Sequence, residues 1–158
     1  DSRANGYTVP RRNYLWGHWL RYAGLYPDCQ IRLFKRGKGE FTRRRVHESV
    51  AIDGPVERLR SPLEHHSYQG ISDVIQRLDR YTELAALDLW DQGQPFRWTT
   101  LVMRPLGRFL RNYGLKQGFR DGIPGLIMAV SYAYSVFVRE AKLWEMASRH
   151  RAEDARRK

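Results

Sequence analysis

A chain of 158 residues with 42% hydrophobic and 13% aromatic residues can bury a core of its own, which excludes a disordered protein. Its formal net charge of +11 points to a polyanionic neighbour, such as nucleic acid, an anionic membrane surface or phosphorylated substrates. The single cysteine, Cys29, excludes a disulfide framework and any zinc site that needs several thiolates.

The first 60 residues predict short strands separated by turns. Residues 7–10 predict a strand that ends at its proline, and residues 13–22 predict a short helix capped by Asn13. Residues 30–34 form the best strand pattern in the chain, and Phe41 starts a return segment toward Val46. Residues 49–52 predict one more strand.

Helical spacing begins near residue 71. Ile71, Val74, Leu78 and Tyr81 recur at helical intervals, and Gly93 is a stop signal. A second helix is predicted to have Pro105 in its first turn and to end at Gly114. Pro124 opens the last long helix, whose tail from residue 150 is expected to fray. Its uncharged run, residues 122–138, falls short of the about 20 apolar residues that span a bilayer, which predicts a buried or interfacial helix.

Three of the five histidines, His47, His65 and His66, lie within one polar stretch. Glu48 follows the first of them, and a basic run precedes it. Such a cluster suits acid–base chemistry or metal binding. Residue types alone nevertheless favour a charged turn.

An ordered set of motifs extends over nearly the whole chain. It comprises Tyr7-x-Val9-Pro10-Arg11-x-Asn13, Tyr26-Pro27-Asp28-x-Gln30-x-Arg32-Leu33-Phe34, Val46-His47-Glu48, Leu63-x-His65-x-Ser67-Tyr68, Arg77-x-x-Arg80-Tyr81, Ala85-Ala86 and Phe109-Leu110-Arg111-x-Tyr113. This order and spacing resembles bacterial family 2 glycosyltransferases, especially those that add sugars to the inner core of lipopolysaccharide.

The resemblance implies an α/β fold, the C-terminal part of a GT-A type glycosyltransferase, with short mixed strands followed by a mostly helical half. Residues 1–68 would be the acceptor-side part of the catalytic domain, and residues 69–158 a helical, membrane-associated region. Family members bind the nucleotide sugar in an N-terminal half that bears an Asp-x-Asp metal motif. Because the chain contains no Asp-x-Asp, that half is expected to come from outside it, and residues 1–158 alone are expected not to transfer sugar.

The resemblance also implies catalytic roles. Glu48 matches the general base that takes the proton of the acceptor hydroxyl, with His47 as the alternative base or as its positioning neighbour. A solvated glutamate paired with Arg44 or Arg45 is the other interpretation. His65 matches a position near the donor diphosphate and its divalent metal, Mg²⁺ or Mn²⁺. Its alternative is a histidine that caps the following helix.

Four further residues are candidates for substrate binding. Arg32, with Gln30, could reach the donor pyrophosphate, or it could simply face solvent from its strand. Arg44 and Arg45 could contact the phosphates of a lipid-linked acceptor, or form a solvated basic face. Trp19 could stack on a sugar ring, although aromatic residues of this kind are more often part of a core.

The predicted activity is inverting transfer of a hexose from a nucleotide sugar to a lipid-linked glycan, such as lipopolysaccharide core. The predicted location is peripheral, at the cytoplasmic face of the bacterial inner membrane. Basic residues from Arg104 to Arg120 flank apolar ones and suit an anionic membrane surface; a helix packed on its own domain with its charges outward is the alternative. A nucleic-acid-binding module without enzymatic activity is the rival function, and an inactive membrane adaptor is a third. No nucleic acid is expected, since no known recognition motif matches.

Overall fold

The computed structural model describes residues 3–42 and 49–157 of the chain. Its strands are β1 (Gly6–Leu15), β2 (His18–Trp19), β3 (Asp28–Phe34), β4 (Gly39–Phe41), β5 (Val50–Ile52), β6 (Val56–Arg58) and β7 (Leu63–Tyr68). Its α-helices are α1 (Ile71–Asp91), α2 (Trp98–Phe109) and α3 (Gly122–Arg156). A π-helical turn (Leu110–Leu115) and a 3₁₀ turn (Gly118–Asp121) join α2 to α3. The predicted order, mixed strands followed by a helical half, is confirmed.

Strand β1 is the centre of the main sheet. It pairs antiparallel with β3 on one side and parallel with β6 and β7 on the other. The register places Arg11 opposite Asp28 and Asn13 opposite His65. Polar residues that are distant in sequence therefore meet along a single strand.

The predicted end of β1 at Pro10 is wrong, and so is the helix predicted over residues 13–22. The strand continues to Leu15 and turns back into β2. Proline removes one N–H donor, but β1 has neighbours on both sides, so the loss does not end the strand. Trp16 and Gly17 adopt φ angles of 48° and 83°, a left-handed turn that excludes the helix.

The predictions for α1 and for the start of α3 hold, whereas the predicted start and end of the second helix are wrong, and the tail predicted to fray from residue 150 is helical to Arg156. Helix α1 starts and ends where its apolar spacing indicates, Pro124 lies in the first turn of α3, and α3 is a single long helix that continues to Arg156. Pro105 does not open α2, however, because α2 begins at Trp98 and contains the proline in its interior. Helical structure also passes Gly114, as the π-helical turn.

The core joins the sheet to α3. Leu15, Leu20 and Met128 are buried together, and partly buried side chains that include Tyr68 and Tyr132 pack around them. Asp121 adds a polar joint, since its carboxylate accepts hydrogen bonds from the backbone N–H groups of Arg21 (3.1 Å) and Tyr22 (2.8 Å). The sheet and the turn between α2 and α3 are thereby held against each other.

Helices α2 and α3 are joined by a buried carboxylate. Glu140 is 1% exposed and accepts hydrogen bonds from Thr100 (2.9 Å), Arg104 (2.9 Å) and Arg139 (2.7 Å). Burial would raise the pKa of Glu140, but these hydrogen bonds outweigh it and hold the pKa below its usual value. The side chain is therefore ionised and fixes α2 on α3.

Candidate active site

A cavity of about 890 Å³ lies between the sheet and the helices. Strands β1, β3 and β7 contribute Arg11, Asn13, Asp28 and His65 to its wall. The rest of the wall includes four tyrosines, two arginines from α2 and α3, and apolar residues: Tyr14, Tyr68, Tyr81, Tyr132, Arg108, Arg139, Leu15, Leu20, Leu25, Leu78, Ala85, Met128 and Val136. A partly apolar wall with a few convergent polar groups is typical of a ligand site.

Asp28 is the anionic centre of this wall. Its carboxylate accepts hydrogen bonds from Arg11 Nε (3.0 Å), Asn13 Nδ2 (3.1 Å) and Gln30 Nε2 (2.8 Å). Burial raises the pKa of Asp28, but hydrogen bonds from Gln30, Asn13 and Arg11 more than compensate and lower it below its usual value. Asp28 is therefore a fixed negative charge that orients its donors, and it is a poor proton acceptor at neutral pH.

Asn13 passes that orientation on to His65. The Asn13 amide nitrogen also donates to the carbonyl oxygen of Leu25 (2.9 Å), so its Oδ1 is turned toward His65 Nδ1, 2.8 Å away. A carbonyl oxygen only accepts, so Nδ1 carries the proton and the lone pair of the neutral ring is on Nε2. Burial, and then the charge of Arg11, lower the pKa of His65. The imidazole is therefore neutral near pH 7.

Tyrosine hydroxyl groups and aromatic faces make up another part of the wall. Burial raises the pKa values of Tyr68 and Tyr132, which keeps both phenols protonated at neutral pH. The guanidinium of Arg77 lies 5.5 Å from the ring centre of Tyr68, and Tyr14 stacks on His66. Aromatic faces beside hydroxyl, amide and guanidinium donors suit a ligand that is both polyhydroxylated and anionic.

The predicted site residues separate into three groups. His65 lies in the cavity wall, and its alternative role as a cap of α1 is wrong, because it bonds Asn13 and the N-cap position of α1 is Gly70. Gln30 reaches the network through Asp28, whereas Arg32 is exposed on β3 and lowers the pKa of His65 through its charge alone. Glu48, His47, Arg44 and Arg45 lie outside the described residues, so their roles stay predictions.

Trp19 lies outside the cavity wall. The guanidinium groups of Arg12 and Arg21 lie 4.8 Å and 4.2 Å from its ring centre, and Tyr26 meets it edge-on. Cation–π contacts of this kind hold the indole in place. Sugar stacking on Trp19 stays a prediction, and it would require these guanidinium groups to move.

The described residues do not form a metal site by themselves. Within residues 3–42 and 49–157, no three His, Cys, Asp or Glu side chains converge. Asp28 already accepts hydrogen bonds from three side chains, and the positive charges of Arg11, Arg32 and Arg77 around His65 oppose a bare cation. These charges favour an anion instead, such as a diphosphate.

Sequence reasoning gave no role to Arg11 and Asp28, and it placed Asn13 at a helix cap. The available signal was spacing: residues 11 and 13 share one face of a strand if the strand continues past Pro10. Arg11 and Asn13 also belong to the first motif of the resemblance, Tyr7-x-Val9-Pro10-Arg11-x-Asn13. Because Pro10 is a signal for the end of a strand, the sequence did not predict that β1 continues to Leu15, and so it did not predict the network that β1 carries.

Comparison with known proteins covers most of the chain. The chain is 30% identical to the lipopolysaccharide core biosynthesis glycosyltransferase LpsC of Rhizobium meliloti (strain 1021) over 142 residues. This alignment covers 89% of the chain and 53% of LpsC. The chain is similar to bacterial glycosyltransferases. Uncharacterized glycosyltransferases of Rickettsia typhi (strain ATCC VR-144 / Wilmington; 26% over 112 residues, 67% of this chain and 38% of the relative) and Rickettsia prowazekii (strain Madrid E; 24% over 108 residues, 65% and 37%) also match. No family model and no solved structure matches.

The glycosyltransferase similarity and the cavity coincide. The chain spans about half the length of LpsC and less of the two rickettsial relatives. Residues from five of the motifs that carry the resemblance nevertheless meet in this one wall: Arg11, Asn13, Asp28, His65, Tyr68, Tyr81 and Ala85.

Proposed function

We propose that this chain is the acceptor-side part of an inverting family 2 glycosyltransferase of GT-A type. The enzyme would transfer a hexose from a nucleotide sugar to a lipid-linked glycan such as lipopolysaccharide core. One observation carries the proposal: motif residues that are up to 74 positions apart, from Arg11 to Ala85, converge on a single cavity. The similarity to LpsC over 89% of the chain supports the same reading.

The reaction needs a base, and Glu48 is proposed for that role. Its carboxylate takes the proton of the acceptor hydroxyl while the hydroxyl oxygen bonds to the anomeric carbon and the nucleoside diphosphate leaves from the opposite face. His47 is the alternative base. Attack opposite the leaving group inverts the anomeric centre.

The cavity wall is proposed to hold the leaving diphosphate. Arg11 is fixed by Asp28, and Arg32 and Arg77 add positive charge near His65. Guanidinium groups bind phosphate oxygens through paired N–H donors, so they stabilise the charge that grows on the diphosphate as it leaves. Gln30 and Arg32 are proposed to contact the donor, and Arg44, Arg45 and Trp19 the acceptor.

A divalent metal, Mg²⁺ or Mn²⁺, is part of the proposal. Bound with the nucleotide sugar, it would neutralise phosphate charge. His65 would supply one ligand, and carboxylates from a nucleotide-sugar-binding half outside the described residues would supply the others. His65 is oriented by its hydrogen bond to Asn13, which in turn donates to Asp28.

Transfer to a lipid-linked acceptor tests the proposal. The full-length protein, given nucleotide hexoses, a divalent metal and lipopolysaccharide core acceptors, is expected to form a product one hexose heavier by mass spectrometry. Asn13→Leu should abolish most of this activity, while Gln94→Leu, in the loop after α1, is the matched control. Equal activity of both variants would show that the cavity network is not needed for sugar transfer.

The isolated residues 1–158 give a second readout. Because they contain no Asp-x-Asp, they are expected to bind but not to transfer. Turnover by these residues alone would place the donor site within them and contradict the acceptor-side assignment. Sequence-selective RNA binding, with no sugar transfer by the full-length protein, would favour the nucleic-acid module instead.

A further inference from the structure

Helix α3 presents an uncharged apolar stripe to the outside. From Ile123 to Phe137, large side chains recur every three or four residues on its exposed face, and Trp144 follows two turns later. Their exposed fractions range from 39% to 73%: Ile123, Leu126, Val130, Tyr134, Phe137 and Trp144. Val130 is two residues from both Met128 and Tyr132, which is about half a turn of helix. Those two residues line the cavity. The stripe therefore lies on the side of α3 that faces away from the cavity.

Helix α2 also exposes large apolar side chains. Arg104 turns inward to Glu140, and Arg108 lines the cavity. Val102, Leu106 and Leu110 are about half a turn away from these arginines, and their exposed fractions are 51%, 49% and 55%. A helix packed on a soluble domain normally buries its apolar side and exposes its charged side. In α2 no residue is buried, and its apolar side chains are exposed alongside Arg104 and Arg108.

The turn between the two helices continues this surface. Leu115 is 84% exposed, Phe119 52% and Ile123 73%. Trp98 and Trp144, 73% and 51% exposed, lie at the other end of the pair, where Thr100 meets Glu140. We call the exposed apolar side chains of α2, the turn and α3 the apolar face.

The charge around the apolar face has one sign. Residues 92–120 contain six basic side chains and no acidic one, and residues 122–138 contain no charged residue at all. The single acid between residues 92 and 139 is Asp121, whose carboxylate is occupied by the backbone of Arg21 and Tyr22. An occupant that is both apolar and anionic would therefore suit this face.

We infer that the apolar face docks into the surface of an anionic phospholipid membrane, with Arg111, Lys116 and Arg120 at its phosphate level. A lipid surface offers acyl chains beside phosphates, which matches apolar side chains rimmed by basic ones. Tryptophans at the far end of the pair suit the same headgroup region. The inference rests on the proposed function only in bringing the cavity to a lipid-linked acceptor.

The helices lie in the plane of the membrane surface and do not cross it. In the described chain one helical stretch, Gly118–Arg156, is long and apolar enough to span a bilayer. However, α3 is held by charged contacts on two sides, Lys142 to Asp79 of α1 (2.7 Å) and Glu140 to α2. Within the uncharged run, Met128 is buried against Leu15 and Leu20, and crossing the bilayer would break that packing.

Vesicle co-sedimentation tests the inference directly. The protein is expected to bind vesicles of equal parts phosphatidylcholine and phosphatidylglycerol more tightly than vesicles of phosphatidylcholine alone, and salt should weaken this binding. Leu110→Ser should reduce partitioning roughly fivefold to tenfold, because it removes an apolar side chain from the lipid. The matched control is Leu33→Ser on β3, since Leu33 is 56% exposed and Leu110 is 55% exposed.

The basic rim has its own pair of variants. Arg111→Gln should weaken binding to the anionic vesicles roughly fivefold, whereas Arg36→Gln in the turn after β3 should leave it unchanged. Equal effects within either pair, or binding that ignores lipid charge, would overturn the inference.

Two further outcomes would also overturn it. A concentration-dependent dimer that Leu110→Ser disrupts, without lipid selectivity, would assign the face to a second copy. RNA binding that Arg111→Gln weakens in the absence of lipid would assign the rim to nucleic acid. Failure to bind vesicles while the full-length protein still transfers sugar would leave the proposed function intact.

Discussion

The sheet half and the helical half distribute polarity in opposite ways. In the sheet half, Arg11, Asn13, Asp28 and His65 turn toward a cavity and satisfy one another. In the helical half, α3 buries one apolar side in the core, and α2 and α3 leave a second set of large apolar side chains exposed. A polar network around a cavity can bind and orient a substrate, whereas an exposed apolar face can bind a membrane or a partner. We therefore expect variants in one half to impair turnover and variants in the other to impair attachment or stability.

The largest effect is expected from Glu48→Gln in the full-length enzyme. Glutamine keeps the shape and the hydrogen bonding of glutamate but does not take up the proton. A loss of about a hundredfold or more in turnover is expected, in kcat and in kcat/KM alike, with donor affinity retained. Single-turnover and steady-state kinetics measure both.

His47→Ala is the control for that assignment. A base at His47 would reverse the order of the two effects. Turnover of the Glu48→Gln enzyme within a fewfold of the parent would show that Glu48 only pairs with neighbouring arginines, and the proposed catalytic centre would be wrong.

The next effect concerns stability in the helical half. Glu140→Ala leaves Thr100, Arg104 and Arg139 without their shared acceptor, so it should lower the free energy of unfolding by about 3 kcal/mol. Chemical denaturation followed by circular dichroism measures this loss. An unchanged midpoint would mean that the three donors find solvent or each other at no cost.

The acid dependence of this carboxylate has a definite sign. The pKa of Glu140 is lower in the folded state than its usual value of 4.5, so its contribution to stability is full above that value and is lost as pH falls through the folded pKa. Glu140→Gln removes this titration. The variant should therefore lose less stability than the parent when both are compared at neutral and at acidic pH.

A smaller effect is expected from His65→Ala, in the sheet half. Loss of the metal ligand at Nε2 should weaken apparent donor and metal affinity roughly tenfold, while the acceptor KM changes less. His65→Gln is the conservative partner, since its amide can still donate to Asn13. Unchanged donor and metal affinities in a folded variant would reduce His65 to a packing residue.

Local sequence patterns predict some of this architecture and miss the rest for physical reasons. β3, β5, α1 and α3 follow from periodicity within a single segment, which neighbouring residues are sufficient to set. The pairing of β1 with β7 joins residues about 50 positions apart, and Pro10 makes β1 look finished. The network of Asn13, Asp28 and His65 exists only through that pairing.

Helix α2 shows a different limit. Its sequence has a charged side and an apolar side, but periodicity does not say which side meets the protein. The buried carboxylate of Glu140 decides it, since Arg104 turns inward to reach Glu140. That carboxylate comes from another helix, 36 residues further along the chain. Which side of α2 is exposed therefore depends on its packing against α3 and does not follow from its sequence alone.

The smallest effect is expected at the joint between the two halves. Asp121→Ala removes the acceptor for two backbone N–H groups, those of Arg21 and Tyr22, and should cost about 1–2 kcal/mol. Hydrogen exchange at these two amides should accelerate, while exchange in the strand pairing of β1 and β7 should change little. Asp121→Asn keeps one acceptor oxygen and should lie between Ala and the parent. Because the joint holds the turn of the apolar face against the loop that follows β2, its loss should loosen the two halves without emptying the cavity network. Parent-like exchange at Arg21 and Tyr22 in the Ala variant would mean that the core around Leu15, Leu20 and Met128 holds the halves together alone.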